Sequence, residues 1–127
     1  MKRRGHPEAD IQRQIVNGLR AILPAGAVLH HSANEVTAGG EAARRTQSIL
    51  RGMGVWPGFS DLLLISEGRV LFLEVKSQTG RQSDDQRAFQ AAVEAQGFVY
   101  ELVRSLDDAL RALAKHGFKT LIKGWSL

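Results

Sequence analysis

Apolar positions along this chain follow two periods, one near 3.6 residues and one of two, and the switches between them mark the elements. Ile11, Ile15, Leu19 and Ile22 recur at helical spacing, so residues 7–22 predict an amphipathic helix, with Pro7 near its start and Pro24 and Gly26 ending it. Residues 28–31 read as a short strand. Gly39-Gly40 breaks the chain, and residues 41–50 predict a short helix bearing Arg44 and Arg45. Two strand-length runs, Asp61-Leu62-Leu63-Leu64-Ile65-Ser66 and Val70-Leu71-Phe72-Leu73-Glu74-Val75-Lys76-Ser77, flank Glu67-Gly68-Arg69 and predict a β-hairpin. Ser83-Asp84-Asp85-Gln86 has the form of a capping box, opening a helix whose inward face is Phe89, Ala92 and Val93 and which stops at Gly97. Residues 98–103 alternate as a strand. Ser105-Leu106-Asp107-Asp108 reads as a second capping box, opening a helix on Leu106, Leu110 and Leu113 that stops at Gly117.

Strand, helix, strand across residues 70–103 is a βαβ unit, so its two strands should lie parallel with a right-handed crossover. The fold class expected is α/β, a central mixed β-sheet flanked by helices. The length of 127 residues suits one domain spanning 1–127, with residues 1–6 as a short mobile basic arm. The last stretch, 118–127, carries Leu121, Ile122 and Trp125 and should dock on the domain or on a partner.

Composition narrows the chemistry. The chain has no cysteine, which removes disulfides and thiolate metal sites, and His6, His30, His31 and His116 lack the spacing of a zinc site. No apolar stretch approaches the roughly 20 residues that span a bilayer, so no membrane association and a cytoplasmic location, in a bacterium or a phage-infected host, are expected. Lys and Arg number 17 against 13 Asp and Glu, a net charge of +4. Twelve of the 17 are Arg, which binds phosphate bidentately, so the excess permits a nucleic-acid partner.

The polar residues that interrupt the hairpin carry the chemistry. Side chains alternate along a strand, so Glu74 and Lys76 share one face while Val75 points to the other, and the hairpin folds Asp61 back beside them. A hard cation such as Mg²⁺ takes one or two carboxylates plus waters and phosphate oxygens, and Asp61, Glu74 and the Val75 carbonyl are the candidate ligands. Such an ion would acidify a water and neutralise charge on a phosphodiester, with Lys76 orienting that water or stabilising the transition state. A solvated edge strand with a Glu/Lys pair reads the same way from charge pattern alone.

Asp61 followed by Glu74-Val75-Lys76 resembles the PD-(D/E)xK nuclease superfamily, and the surroundings resemble its VRR-NUC branch. The matching stretch runs from Gly54-Val55-Trp56-Pro57-Gly58-Phe59-Ser60-Asp61, through Glu74-Val75-Lys76, to Gly80-Arg81-Gln82-Ser83-Asp84-Asp85-Gln86. The resemblance implies a restriction-endonuclease-like core with its site at the hairpin edge, between the first helix and the Ser83 helix. It places Gln86 facing the metal, although Gln86 is equally explained as a helix cap, and it puts a further acid, Glu8, in the first helix, as a ligand directly or through water. Glu8 is also an ordinary first-turn acid favoured by the helix dipole. One departure is Ser60, where the family commonly has Pro before the motif Asp. The implied activity is a Mg²⁺-dependent endonuclease, with Mn²⁺ substituting, that leaves 5′-phosphate and 3′-hydroxyl ends. Standalone members of this size resemble homodimeric enzymes cutting branched DNA such as four-way junctions. Arg44, Arg45 and Arg51 are then candidate phosphate contacts, or else simply a solvated helix surface. Cleavage of linear duplex or flap DNA, and a catalytically silent DNA-binding module, remain alternatives.

Overall fold

The two hairpin runs are apolar at nearly every position, as strands covered on both faces must be. In the computed structural model, which describes residues 7–32 and 40–121, they form β2 (Leu62–Ser66) and β3 (Arg69–Val75). They join through Glu67 and Gly68, both at positive φ (52° and 79°), the two-residue turn whose twist matches a hairpin. β1 (Val28–His31) pairs antiparallel with β2, and β4 (Val99–Val103) pairs parallel with β3, giving a mixed sheet of order β1-β2-β3-β4. The hairpin therefore occupies the centre of the sheet, not an edge. The site expected at its edge lies instead at its open end, with a strand on either side.

Four helices complete the α/β architecture: α1 (Pro7–Ile22), α2 (Gly40–Gly52), α3 (Asp84–Ala95) and α4 (Leu106–Lys115). Alternation divides the sheet into two faces. Leu62, Leu64, Leu71, Leu73, Val75 and Val103 are buried in one aliphatic layer against Ile15 and Leu19 of α1 and Ala109, Ala112 and Leu113 of α4. Contact between these helices is close because Gly18 makes room: a Cβ there would lie 2.7 Å from Leu106 Cδ1. On the opposite face α3 lays Phe89 against Phe59, Phe72 and Tyr100, with centroids 4.5, 5.5 and 6.2 Å apart.

The expected inward face of α4 packs on the core, with Leu113 buried and Leu106 and Leu110 partly covered, and Ala109 and Ala112 are buried beside them. The second capping box is half formed. Ser105 Oγ accepts from Asp108 N, but Asp108 Oδ2 accepts from Arg104 N.

α2 forms where a short helix was expected but has no buried residue, and Ile49 within it and Met53 just after it are 57% and 77% exposed. Phe118 is buried and Leu121 N donates to Ile22 O, so that stretch docks on the domain as far as it is described. The expected basic arm at 1–6, Asn34 and Glu35, and Ile122 and Trp125 lie outside the described residues.

Candidate active site

Register builds the site. Val75 is buried in the aliphatic layer, which holds Glu74 on the opposite face; a slip of one residue would drive the carboxylate into the core. Leu62 pairs with Leu73, so one step further the backbone sets Asp61 opposite Glu74. Asp61 Oδ2 accepts from Val75 N at 2.8 Å, and its carbonyl accepts from Ser32 N at 2.9 Å and lies 3.0 Å from His31 Nδ1. Ser60, fully buried, donates from Oγ to the Leu62 carbonyl. That bond stiffens the start of β2 where the family pattern has Pro.

Glu74 is 1% exposed and both its oxygens accept hydrogen bonds: Oε2 from Gln86 Nε2 at 2.7 Å and Oε1 from the Tyr100 hydroxyl at 3.1 Å. Burial first, and then the adjacent Asp61 charge, push its pKa up to about 8, against a smaller opposing pull from Tyr100 and Lys76. Gln86 does not choose between its two expected roles. Its Oε1 accepts from Ser83 N, completing the capping box at 2.8 Å, while its Nε2 serves Glu74.

Lys76 is 8% exposed, beside Glu74, with its backbone N–H bonded to the Val103 carbonyl. The loop after it is closed by Arg104, whose guanidinium donates to the carbonyls of Ser77 and Gly80. Glu8 reaches this loop from α1: a Cβ built on Gly80 would lie 3.0 Å from Glu8 Oε2, 3.1 Å from Ser77 Oγ and 3.4 Å from Lys76 Cδ. Glu8 thus stands at the Lys76 side of the site. Among the described residues, no three His, Cys, Asp or Glu side chains form a metal-binding group. A cleft of about 220 Å³ opens over Asp61, lined by Arg51 and Gln47 of α2, by Gly58 and Phe59, and by Gln86 of α3 and its N-cap Ser83. Arg51 therefore joins the site. Arg44 pairs with Glu41 at 3.6 Å on the solvent side, and Arg45 is exposed.

Two carboxylates, of which that of Glu74 has a raised pKa, an oxygen-only donor set and a lysine alongside suit a hard divalent cation. Two protein carboxylates suffice where water and phosphate complete the shell. Sequence reading missed Tyr100, Gln82 and Arg104. The alternation of β4 was a signal for Tyr100, since it put an aromatic hydroxyl on one sheet face, but only the parallel register brings it diagonal to Glu74.

A mixed sheet with this carboxylate pair and lysine at its centre is the PD-(D/E)xK arrangement. Residues 27–107 match the family model described as VRR-NUC domain, and the chain belongs to that family, which implies a nuclease-type function. Two solved structures share the fold. One, a VRR_NUC domain protein, has 20% identity and a TM-score of 0.66, with 90% of each chain covered. The second, a VRR_NUC domain, has 17% identity and a TM-score of 0.58, covering 90% of this chain and 100% of its own. No curated protein matches the chain. No helix among the described residues is long and apolar enough to cross a membrane.

Proposed function

We propose that the protein is a divalent-cation-dependent, structure-selective DNA endonuclease acting on branched DNA such as four-way junctions, as a homodimer. The observation that carries this reading is buried Glu74 beside Lys76 and half-buried Asp61, with Asp61 opening on a cleft walled by Arg51. Asp61 and Glu74 would hold Mg²⁺ or Mn²⁺, with the Val75 carbonyl as a further oxygen and Glu8 as a ligand directly or through water. When bound, the cation supplies charge neutralisation at the phosphodiester and acidification of water. The chain's own part is positional. The Val75 N–H fixes the Asp61 carboxylate, Gln86 fixes that of Glu74, and the Lys76 ammonium, screened from solvent, orients the attacking water and offsets charge on the phosphate. Arg51 contacts a DNA phosphate from across the cleft, with Arg44 and Arg45 further along α2. Little surface is left for reading base edges, which favours recognition of shape over sequence. A dimer presents two such sites to the two strands of a symmetric junction.

Wild-type protein and the variants Asp61→Ala, Glu74→Ala and Lys76→Ala are to be compared on junction, flap, single-stranded and linear duplex DNA with Mg²⁺ and with Mn²⁺. Each variant should fold and lose cleavage by at least about 100-fold, as expected for groups stabilising transition-state charge. Preferred cutting of linear or flap DNA moves the assignment to that substrate. Full activity in any variant overturns the mechanism, and tight junction binding without cleavage across metals identifies a silent binding module. The mass in solution tests the dimer.

A further inference from the structure

A line of polar side chains runs from the surface of α3 to the buried carboxylate, and its donor directions are fixed from both ends. Glu94 accepts from Gln90 Nε2 at 3.2 Å, which turns the Gln90 Oε1 toward Gln82. Gln82 Nε2 donates to that oxygen at 2.9 Å and, with its second hydrogen, to the Tyr100 hydroxyl oxygen at 3.0 Å. Tyrosine has one hydrogen to give. With its oxygen receiving from Gln82, that hydrogen goes to Glu74 Oε1, 3.1 Å away. Gln86 is oriented by the same logic, because Ser83 N occupies its Oε1 and leaves Nε2 for Glu74 Oε2. Each Glu74 oxygen thus receives one donor of fixed direction and keeps its remaining acceptor capacity for the Asp61 side.

We propose that Tyr100 is a positioning residue for Glu74: its hydroxyl, aimed by the Gln82–Gln90–Glu94 chain, holds Oε1 so that the carboxylate meets a cation shared with Asp61. The ring itself is held by Phe89 and is 6% exposed, which makes the hydroxyl's position a property of the fold. Groups that orient metal-binding side chains typically contribute 10–100-fold in metal affinity.

This inference rests on the cation reading above, and the experiment separates the two. Mn²⁺ binding to the full chain is measured by calorimetry without DNA, and Mn²⁺ dependence of junction cleavage is measured beside it. Tyr100→Phe keeps the ring and loses only the donor; it should bind Mn²⁺ about 10-fold more weakly, with its turnover at saturating Mn²⁺ and its melting temperature close to wild type. Gln82→Leu should weaken Mn²⁺ binding in the same direction, and the double variant should be no weaker than Tyr100→Phe alone, since both act through one hydrogen bond. Wild-type affinity in Tyr100→Phe, or fully additive losses, overturns the positioning role while leaving the nuclease reading intact. Failure of the wild-type protein itself to bind Mn²⁺ overturns both.

Discussion

Glu74 is a buried acid pulled two ways. Hydrogen-bond donors at both oxygens favour the carboxylate, while burial and Asp61 favour the protonated form, and the balance leaves its pKa at about 8 against an ordinary 4.5. The folded, cation-free protein therefore keeps a proton that the unfolded chain releases across that window. Because the folded state binds more protons there, stability falls as pH rises from about 4.5 to about 8, and the loss is complete above that. Glu74→Gln cannot ionise and should escape the penalty. Melting temperatures without metal should coincide at about pH 4, and at pH 9 the variant should melt higher by about 10 °C or more. Mn²⁺ added at pH 9 should raise the wild-type melting temperature and leave Glu74→Gln nearly unmoved. Equal melting at pH 9 would show that the carboxylate ionises without cost in the folded protein.

Elements, rather than residues, decide whether the two halves of the site meet, and the junction is where the 55–59 loop crosses the N-terminus of α3. Gly58 sits at φ +74°, and a Cβ there would lie 2.4 Å from both the carbonyl carbon and oxygen of Asp85 and 2.7 Å from Gln86 N. All three are backbone atoms of a helix, so they cannot swing aside. Gly58→Ala should force the loop leading to Asp61 away from the helix end carrying Ser83 and Gln86. The expected result is a loss of about 1–3 kcal/mol in urea unfolding together with a cleavage rate lowered by about 100-fold. Gly54 has a similar backbone, φ +103°, with nothing near its missing Cβ, so Gly54→Ala should cost stability but keep the rate. Matching rates in the two variants would show that the loop and helix do not need this contact. The same distinction explains what was legible in the sequence. Asp61, Glu74, Lys76 and the cap Gln86 follow from local rules: a period of two, a short turn, and a capping box. Tyr100, Gln82 and Arg104 enter through the parallel register of β3 with β4 and through loop closure, which local spacing does not encode. The expected inward face of α4, Leu106, Leu110 and Leu113, does pack on the core; the close fit of Leu106 over Gly18 was not legible because Gly18 sits on another helix.

Across the whole molecule, the sheet separates what holds the fold from what carries the chemistry. The aliphatic layer under α1 and α4 includes Leu113, fully buried, and none of the residues bonded to Glu74. The face under α3 is aromatic, and Phe89 there touches both Phe59, two residues from Asp61, and Tyr100. Leu113→Ala should cost about 2–5 kcal/mol through its cavity. At a temperature where it is still folded, its single-turnover cleavage rate and Mn²⁺ affinity should equal those of the wild type. Phe89→Ala should cost a similar amount, about 3–5 kcal/mol, yet lose rate and Mn²⁺ affinity as well, since the loop before Asp61 and the Tyr100 ring both rest on it. Comparing the two at matched folded fraction isolates the effect of side from the effect of stability. An equal loss of rate in Leu113→Ala would mean that strain crosses the sheet, and that packing on the aliphatic face sets the Asp61–Glu74 geometry after all.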